Sequence, residues 1–300
     1  MGLGFDKKLP DAFVKNVIDL CGQEGLDWIE SLPRIVSELE DLWGISIESH
    51  FQNLSYNYVA EGNSVDRNKR VLKIALPLRN PEIFDEAKAL KAFEGCGAVR
   101  IYEKDFDRRA ILIEHLLPGT NLKELFSTNK DRAIDISIKV LKRIQRVRFR
   151  SVELPDLTDW FAAFDRAKET DFPRHYLRRA AELLSRLESA ASKRSLLHGD
   201  FHHENILLAD DNEFKIIDPK GVIGNLGYEI SVFLNNHLEW IEHKKDIDGA
   251  VEKFSRAFEI SPQKLKHWAY VQRVLSVCWG IEDSSGDWNK HLKQANIWIA

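Results

Sequence analysis

Asp200 and Asn205 stand five residues apart in His198-Gly199-Asp200-Phe201-His202-His203-Glu204-Asn205, and Asp218 follows Asn205 by thirteen, in Ile216-Ile217-Asp218-Pro219-Lys220-Gly221. Two carboxylates and one side-chain amide are the makings of a base and a pair of magnesium ligands. Transfer of a phosphoryl group from ATP asks for little more, because its transition state is stabilised mainly by positioning and by metal charge spread over the phosphates. One carboxylate must sit beside the attacking hydroxyl and a second must hold magnesium. A neutral oxygen donor completes the metal site without adding negative charge.

Those three side chains need elements that bring them together. Ser195-Leu196-Leu197, Ile206-Leu207-Leu208 and Phe214-Lys215-Ile216-Ile217 read as short buried strands, and Asp210-Asp211-Asn212 between the last two reads as a turn. A hairpin on that turn sets Asn205 and Asp218 side by side at its open end. Taken singly, Asp200, Asn205 and Asp218 are also ordinary turn-capping residues. Their joint placement around one hairpin is what turn chemistry leaves unexplained, and the step from Asp200 to Asn205 is that of the protein-kinase catalytic loop.

A nucleotide partner for this loop is sought upstream. In Val71-Leu72-Lys73-Ile74-Ala75-Leu76, strand alternation puts Lys73 on one face with Val71 and Ala75, and Leu72, Ile74 and Leu76 on the other. Read alone, Lys73 points to solvent. Ile83, Glu86, Leu90 and Phe93, however, share a helical stripe, so Glu86 is a carboxylate at the margin of an apolar face, where a lone charge is costly. Lys73 is its expected partner, with Lys88 or another surface cation the alternative. In kinases a strand lysine bridges such a glutamate to the phosphates. Gln52-Asn53-Leu54-Ser55-Tyr56-Asn57-Tyr58 lacks the glycines of a phosphate-covering loop; there the Ser55 hydroxyl and backbone N–H groups are the candidate caps, and Tyr56 and Tyr58 read as sheet-packing aromatics. No GxxxxGK[ST] run occurs, which excludes P-loop enzymes. At a kinase-type hinge, backbone groups of Glu114 and Leu116 would meet the adenine.

Three hundred residues favour two lobes. A helical pattern over residues 10–43 ends at Gly44 and is followed by β-rich segments at 45–51, 55–60 and 71–76, a helix at 81–93, then strands at 99–102 and 110–114. Helices are expected at 121–126, 131–150 and from about 156 to 189, and again from 226 onward. The expected fold class is therefore α+β, bilobal and protein-kinase-like. Its divisions are a helical segment 1–44, a nucleotide-binding lobe 45–117 with an antiparallel sheet and one key helix, and a larger helical lobe 118–300 carrying the catalytic hairpins and the substrate site. The composition, 44% hydrophobic and 30% charged with a net charge of −4, is that of an ordinary globular chain and argues against a nucleic-acid surface. The basic run Lys142-Arg143, Arg146, Arg148 and Arg150 suits a solvated helix face. Cys21, Cys96 and Cys278 form no disulfide or zinc pattern, and neither a signal peptide nor a membrane span is visible, so a cytoplasmic protein without a membrane partner is expected.

Lys73, Glu86, the His198–Asn205 run and Ile217-Asp218-Pro219-Lys220-Gly221 together resemble the aminoglycoside phosphotransferase family over about residues 45 to 300. The doubled histidine, the Asp-Pro-Lys-Gly ending, Leu226-Gly227-Tyr228-Glu229 and Leu54-Ser55-Tyr56-Asn57-Tyr58-Val59 are similar to its streptomycin 6-phosphotransferase and hydroxyurea-kinase branch. The resemblance implies ATP and Mg2+ as cofactors and a small-molecule hydroxyl as acceptor, with antibiotic resistance as the outcome. It casts Asp200 as base, Asn205 and Asp218 as metal ligands, Lys73 as phosphate clamp and His198 as brace of the catalytic loop. A cationic acceptor needs carboxylates near Asp200. Asp159, Glu229, Glu282 and Asp283 are the candidates, with Glu239 and Asp287 behind them; each is equally open to a solvated role. Other acceptors (sugars, choline-like alcohols, fructosamines), a noncatalytic nucleotide-binding module, and a metal hydrolase built on His198, His202 and His203 remain as alternatives. Adjacent His202 and His203 would point to opposite sides of an extended chain, which speaks against the hydrolase.

Overall fold

A computed structural model describes residues 8–147, 153–189, 193–210, 212–238, 244–283 and 288–299. Arg148, Arg150, Asp211, Glu239 and Asp287 lie outside the described residues. The chain divides into two compact units, residues 1–119 with 209–213, and residues 120–208 with 214–300. Among the described residues no helix is long and apolar enough to cross a membrane.

The first unit opens with α1 (Asp11–Trp43), kinked at Gly22 and stopped by Gly44, which takes the left-handed conformation and donates its N–H to Glu40 O. Phe13, Val17, Trp28, Leu32, Val36 and Leu39 recur at helical spacing and form the buried stripe. A five-stranded antiparallel sheet follows: β1 (Ile45–His50), β2 (Asn57–Ser64), β3 (Lys69–Ala75), β4 (Ile101–Asp105) and β5 (Ala110–Glu114), in the spatial order β1-β2-β3-β5-β4. Leu72, Ile74 and Leu76 meet the α1 stripe in one core with Ile47, Tyr58, Ala60 and Leu112. The opposite face of central strand β3 is left for Lys73. Between β3 and β4 runs α2 (Ile83–Phe93), which contacts β4 and β5.

Strand β2 runs four residues past the Ala60 limit expected for it. Glu61-Gly62-Asn63-Ser64 reads as turn-like, yet it pairs with β1, and a Cβ at Gly62 would lie 2.4 Å from Ser46 O, so the glycine answers to a close backbone approach inside the sheet.

The second unit is mainly helical: α3 (Leu122–Thr128), α4 (Lys130–Ile144), α5 (Leu157–Trp160), α6 (Ala163–Ala167), α7 (Arg174–Ser189), α8 (Leu226–Leu238), α9 (Lys244–Phe258), α10 (Pro262–Glu282) and α11 (Trp288–Ala295). The single helix expected from about 156 to 189 is in fact α5, α6 and α7, because Asp156 caps a one-turn helix and Pro173 starts a new one before Arg174. α10 is buried along most of its length and packs against α6, α7, α8, α9 and α11. Two small antiparallel sheets are set among the helices. β7 (Ile206–Leu208) pairs with β8 (Phe214–Ile216) as the expected hairpin, and β6 (Ser195–Leu197) pairs with β9 (Val222–Gly224), a strand the sequence reading did not include. The short β6–β9 ladder holds the two ends of the segment 198–221.

Candidate active site

In the first unit, Lys73 sits opposite Val59 in β2 and Ile111 in β5, at the middle of the sheet. Its Nζ donates to Glu86 Oε2 at 2.7 Å, and the two residues are 7% and 4% exposed. Lys88, the alternative partner for Glu86, pairs with Asp85 instead at 2.8 Å. A buried ion pair of this kind holds its geometry because either charge left alone would be strongly destabilising.

In the second unit the loop after β6 is built from backbone inward. Gly199 is left-handed, with φ +87°, and a Cβ there would lie 2.9 Å from the Trp160 ring and 3.1 Å from Lys220 Cβ, so the position needs glycine on both counts. His198 is fully buried; its Nδ1 accepts the Asp200 N–H at 3.1 Å and its Nε2 donates to Ile217 O at 2.8 Å. Both ring nitrogens are thus used, the tautomer is fixed, and burial lowers its pKa to about 4. Asn205 donates its amide to Asp200 O at 3.0 Å and faces Asp200 Oδ2 at 3.4 Å, so its nitrogen is turned to Asp200 and Oδ1 is its acceptor atom. Burial pushes the Asp200 carboxyl up, but the His202 contact and the charge of Lys220 outweigh it and hold the group below the usual carboxylate range, as an anion.

Asp218 is clasped to that loop from both sides. Ile217 N donates to Asn205 O at 3.0 Å, Ile217 O accepts the His198 Nε2–H, and Lys220 N and Gly221 N donate to His198 O at 2.7 and 3.2 Å. Asp218 itself is left-handed at φ +61°, a conformation uncommon for a residue with a side chain and one that clusters at functional sites. The half-buried Asp218 and the Asp200–Asn205 pair are therefore brought together by fixed backbone bonds.

Beneath the loop lies Glu229, at the start of α8 and 0% exposed. Its two carboxylate oxygens accept the His198 N–H at 2.5 Å and the Gly199 N–H at 2.9 Å. Burial pushes its carboxyl up to about 7, against the pull of those two N–H groups. This corrects the substrate-side expectation for Glu229: its carboxylate is turned into the loop it supports. The sequence cue was its place one residue after Tyr228 in an otherwise apolar helix start, where a carboxylate has to find buried donors.

The other candidates are scattered. Ser55 is exposed in the loop before β2, and its backbone O accepts from Asn16 Nδ2 at 3.2 Å. Tyr58 is buried as expected of a sheet aromatic, whereas Tyr56 is exposed to solvent. The Glu114 N–H donates to Arg100 O at 2.8 Å, and Leu116 is buried just before the cis Leu117-Pro118 bond. Asp159 caps α5 through the Asp156 N–H, and Glu282 makes a two-pronged pair with Arg166 at 2.8 and 3.1 Å. Asp283 is exposed at the end of α10. His203 is buried between the rings of Phe126 and Phe233 while His202 faces Asp200, so the three histidines do not converge as a zinc set would require.

The arrangement is that of a protein-kinase-like phosphotransferase, and solved structures share the fold. A choline kinase, LicA, from Streptococcus pneumoniae aligns with a TM-score of 0.67 at 16% identity, covering 89% of this chain and 98% of its own. A thermostable mutant of aminoglycoside phosphotransferase APH(4)-Ia aligns with a TM-score of 0.63 at 14% identity, covering 89% and 96%. The chain belongs to the aminoglycoside/hydroxyurea antibiotic resistance kinase family, whose model matches residues 59–284. It is 24% identical to streptomycin 6-kinase of Streptomyces griseus over 92% of this chain and 91% of that protein. It is also 24% identical to hydroxyurea phosphotransferase of Kitasatospora aureofaciens, over 92% and 81%. The protein is accordingly a phosphotransferase with an alcohol group as acceptor.

Proposed function

We propose that the protein is an ATP- and magnesium-dependent kinase that transfers the γ-phosphate to a hydroxyl of a small molecule, an aminoglycoside such as streptomycin, and so inactivates the antibiotic in the cytoplasm. The observation that carries this reading is the set of bonds that clasps the Asp200–Asn205 loop to the backbone on either side of Asp218. Asn205 Oδ1 and the Asp218 carboxylate are the hard oxygen donors magnesium takes, and they would hold it. When bound, the metal supplies positive charge to the phosphates as the transferred group departs. Asp200 aligns the acceptor hydroxyl and accepts its proton. Lys73, held by Glu86, keeps an ammonium fixed for the nucleotide phosphates, and His198 and Glu229 keep the loop backbone in place.

The relatives named for streptomycin support an aminoglycoside as acceptor. One observation favours a different hydroxylated metabolite: Glu282, a candidate carboxylate for a cationic acceptor, is already paired with the Arg166 guanidinium. A mass-spectrometric screen with ATP, magnesium and a panel including streptomycin, hydroxyurea, choline and sugars decides between them. The expected result is a gain of about 80 daltons on streptomycin, the mass of one phosphoryl group. Gain on another panel member alone would remove the antibiotic reading and keep the kinase.

A further inference from the structure

His202 and His203 are neighbours with different surroundings. His203 is packed between Phe126 and Phe233, with ring centroids at 4.6 and 4.2 Å. The half-buried His202 turns the other way, and its Nδ1 accepts the Glu204 N–H at 3.2 Å. A ring nitrogen that accepts a backbone N–H carries no proton, so the His202 proton is on Nε2. That Nε2 lies 3.5 Å from Asp200 Oδ2 and 3.1 Å from Asn205 Nδ2. The Asn205 nitrogen donates to Asp200 O, so it too presents hydrogens. With the proton on Nε2 these two nitrogens are both donors and do not bond each other; the acceptor within reach of both is Asp200 Oδ2, 3.5 Å from His202 Nε2 and 3.4 Å from Asn205 Nδ2.

We infer that His202 is a positioning residue that decides which oxygen of Asp200 works: Oδ2 is held by the His202 Nε2–H and the Asn205 amide, and Oδ1 receives the acceptor's proton. The inference rests on the reading of Asp200 as the base. In the step, the substrate O–H bond breaks, its proton bonds to Oδ1, and the freed oxygen pair bonds the γ-phosphorus as the nucleoside diphosphate leaves. A carboxylate free to rotate would present either oxygen, and orientation of a reacting group is worth large factors in rate. The 3.5 Å contact is long for a hydrogen bond, and such contacts tighten as substrate engages.

Two substitutions separate the two nitrogens of the ring. His202→Asn keeps an acceptor for the Glu204 N–H and removes the donor to Asp200, while His202→Gln extends an amide N–H toward Oδ2. The measurements are kcat and the KM for ATP with streptomycin as acceptor probe, and with water as acceptor in its absence, together with the Tm of each variant and of Asp200→Asn. For His202→Asn the expected result is a loss of about 10- to 100-fold in kcat with KM for ATP and Tm little changed, and for His202→Gln recovery of much of that loss. Wild-type kcat in His202→Asn overturns the inference, as does an equal loss in both variants accompanied by an equal fall in Tm. If Asp200→Asn itself keeps wild-type turnover, the reading of the base fails instead, and the inference with it.

Discussion

Glu229 and His198 show how single buried groups hold this site. The His198 ring and the Glu229 carboxylate are both fully buried, one with its pKa lowered to about 4 and the other with its pKa raised to about 7. Their effects on stability have opposite signs. His198 is depressed, so its contribution is present above its unfolded value of 6.5 and lost as pH falls toward about 4. Glu229 is raised, so its contribution is present below its unfolded value of 4.5 and lost as pH rises through about 7. Over the shared window the two slopes oppose each other, and only a variant reveals them. Glu229→Gln replaces one accepting oxygen by a donor facing a backbone N–H, which is expected to lower stability by about 1–3 kcal/mol at pH about 5. As pH rises to about 8 the gap between wild type and variant should narrow, because the wild type alone loses the Glu229 contribution. Urea denaturation of both proteins at the two pH values checks this; a gap that widens with pH would show that Glu229 is ionised and stabilising in the folded loop.

Elements carry these residues through a few fixed points: β3 for Lys73, the first turn of α2 for Glu86, and the β6–β9 ladder with the β7–β8 hairpin for Asp200, Asn205 and Asp218. The sheet and helix of the first unit are coupled through the Lys73–Glu86 pair. Single substitution Glu86→Ala or Lys73→Met should destabilise by about 3–5 kcal/mol, since each leaves a charge or its donors buried alone. The double variant should lose much less than the sum, and a purely additive cycle would show that the two side chains do not act as a pair. Much of this was legible in the chain. Alternation put Lys73 opposite Leu72 and Ile74, the helical stripe put Glu86 against it, and the turn at Asp210 and Asn212 announced the hairpin. What stayed hidden depends on partners distant in sequence. β9 is a strand only because β6 lies beside it, Glu229 is a brace only because two loop N–H groups reach it, and Gly62 is a sheet residue only because Ser46 crowds it. Local pattern cannot report such long-range contacts, and propensity misreads each of them in the same direction, toward loop or surface.

At the scale of the whole molecule, the N-terminal helix closes one face of the first unit's sheet. α1 supplies Phe13, Val17, Trp28, Leu32, Val36 and Leu39 to the core that backs β1, β2, β3 and β5, so the face of the sheet opposite Lys73 is finished by this helix. Leu32, fully buried there, is expected to destabilise by about 2–5 kcal/mol when cut to alanine. Nucleotide binding should remain in the fraction still folded, because the helix lies on the other face of β3; a loss below about 1 kcal/mol in chemical denaturation would contradict its place in the core. The second unit is organised differently, around α10, with the small sheets and the start of α8 setting the His198–Asn205 loop.

Asp200 as the base of a phosphoryl transfer is the centre of the proposed activity. Its most direct test is steady-state turnover of ATP with streptomycin by wild type and Asp200→Asn, measured beside nucleotide affinity by calorimetry. Loss of kcat by about 100-fold or more with ATP affinity and Tm preserved is the predicted result. Turnover that survives the substitution would contradict it.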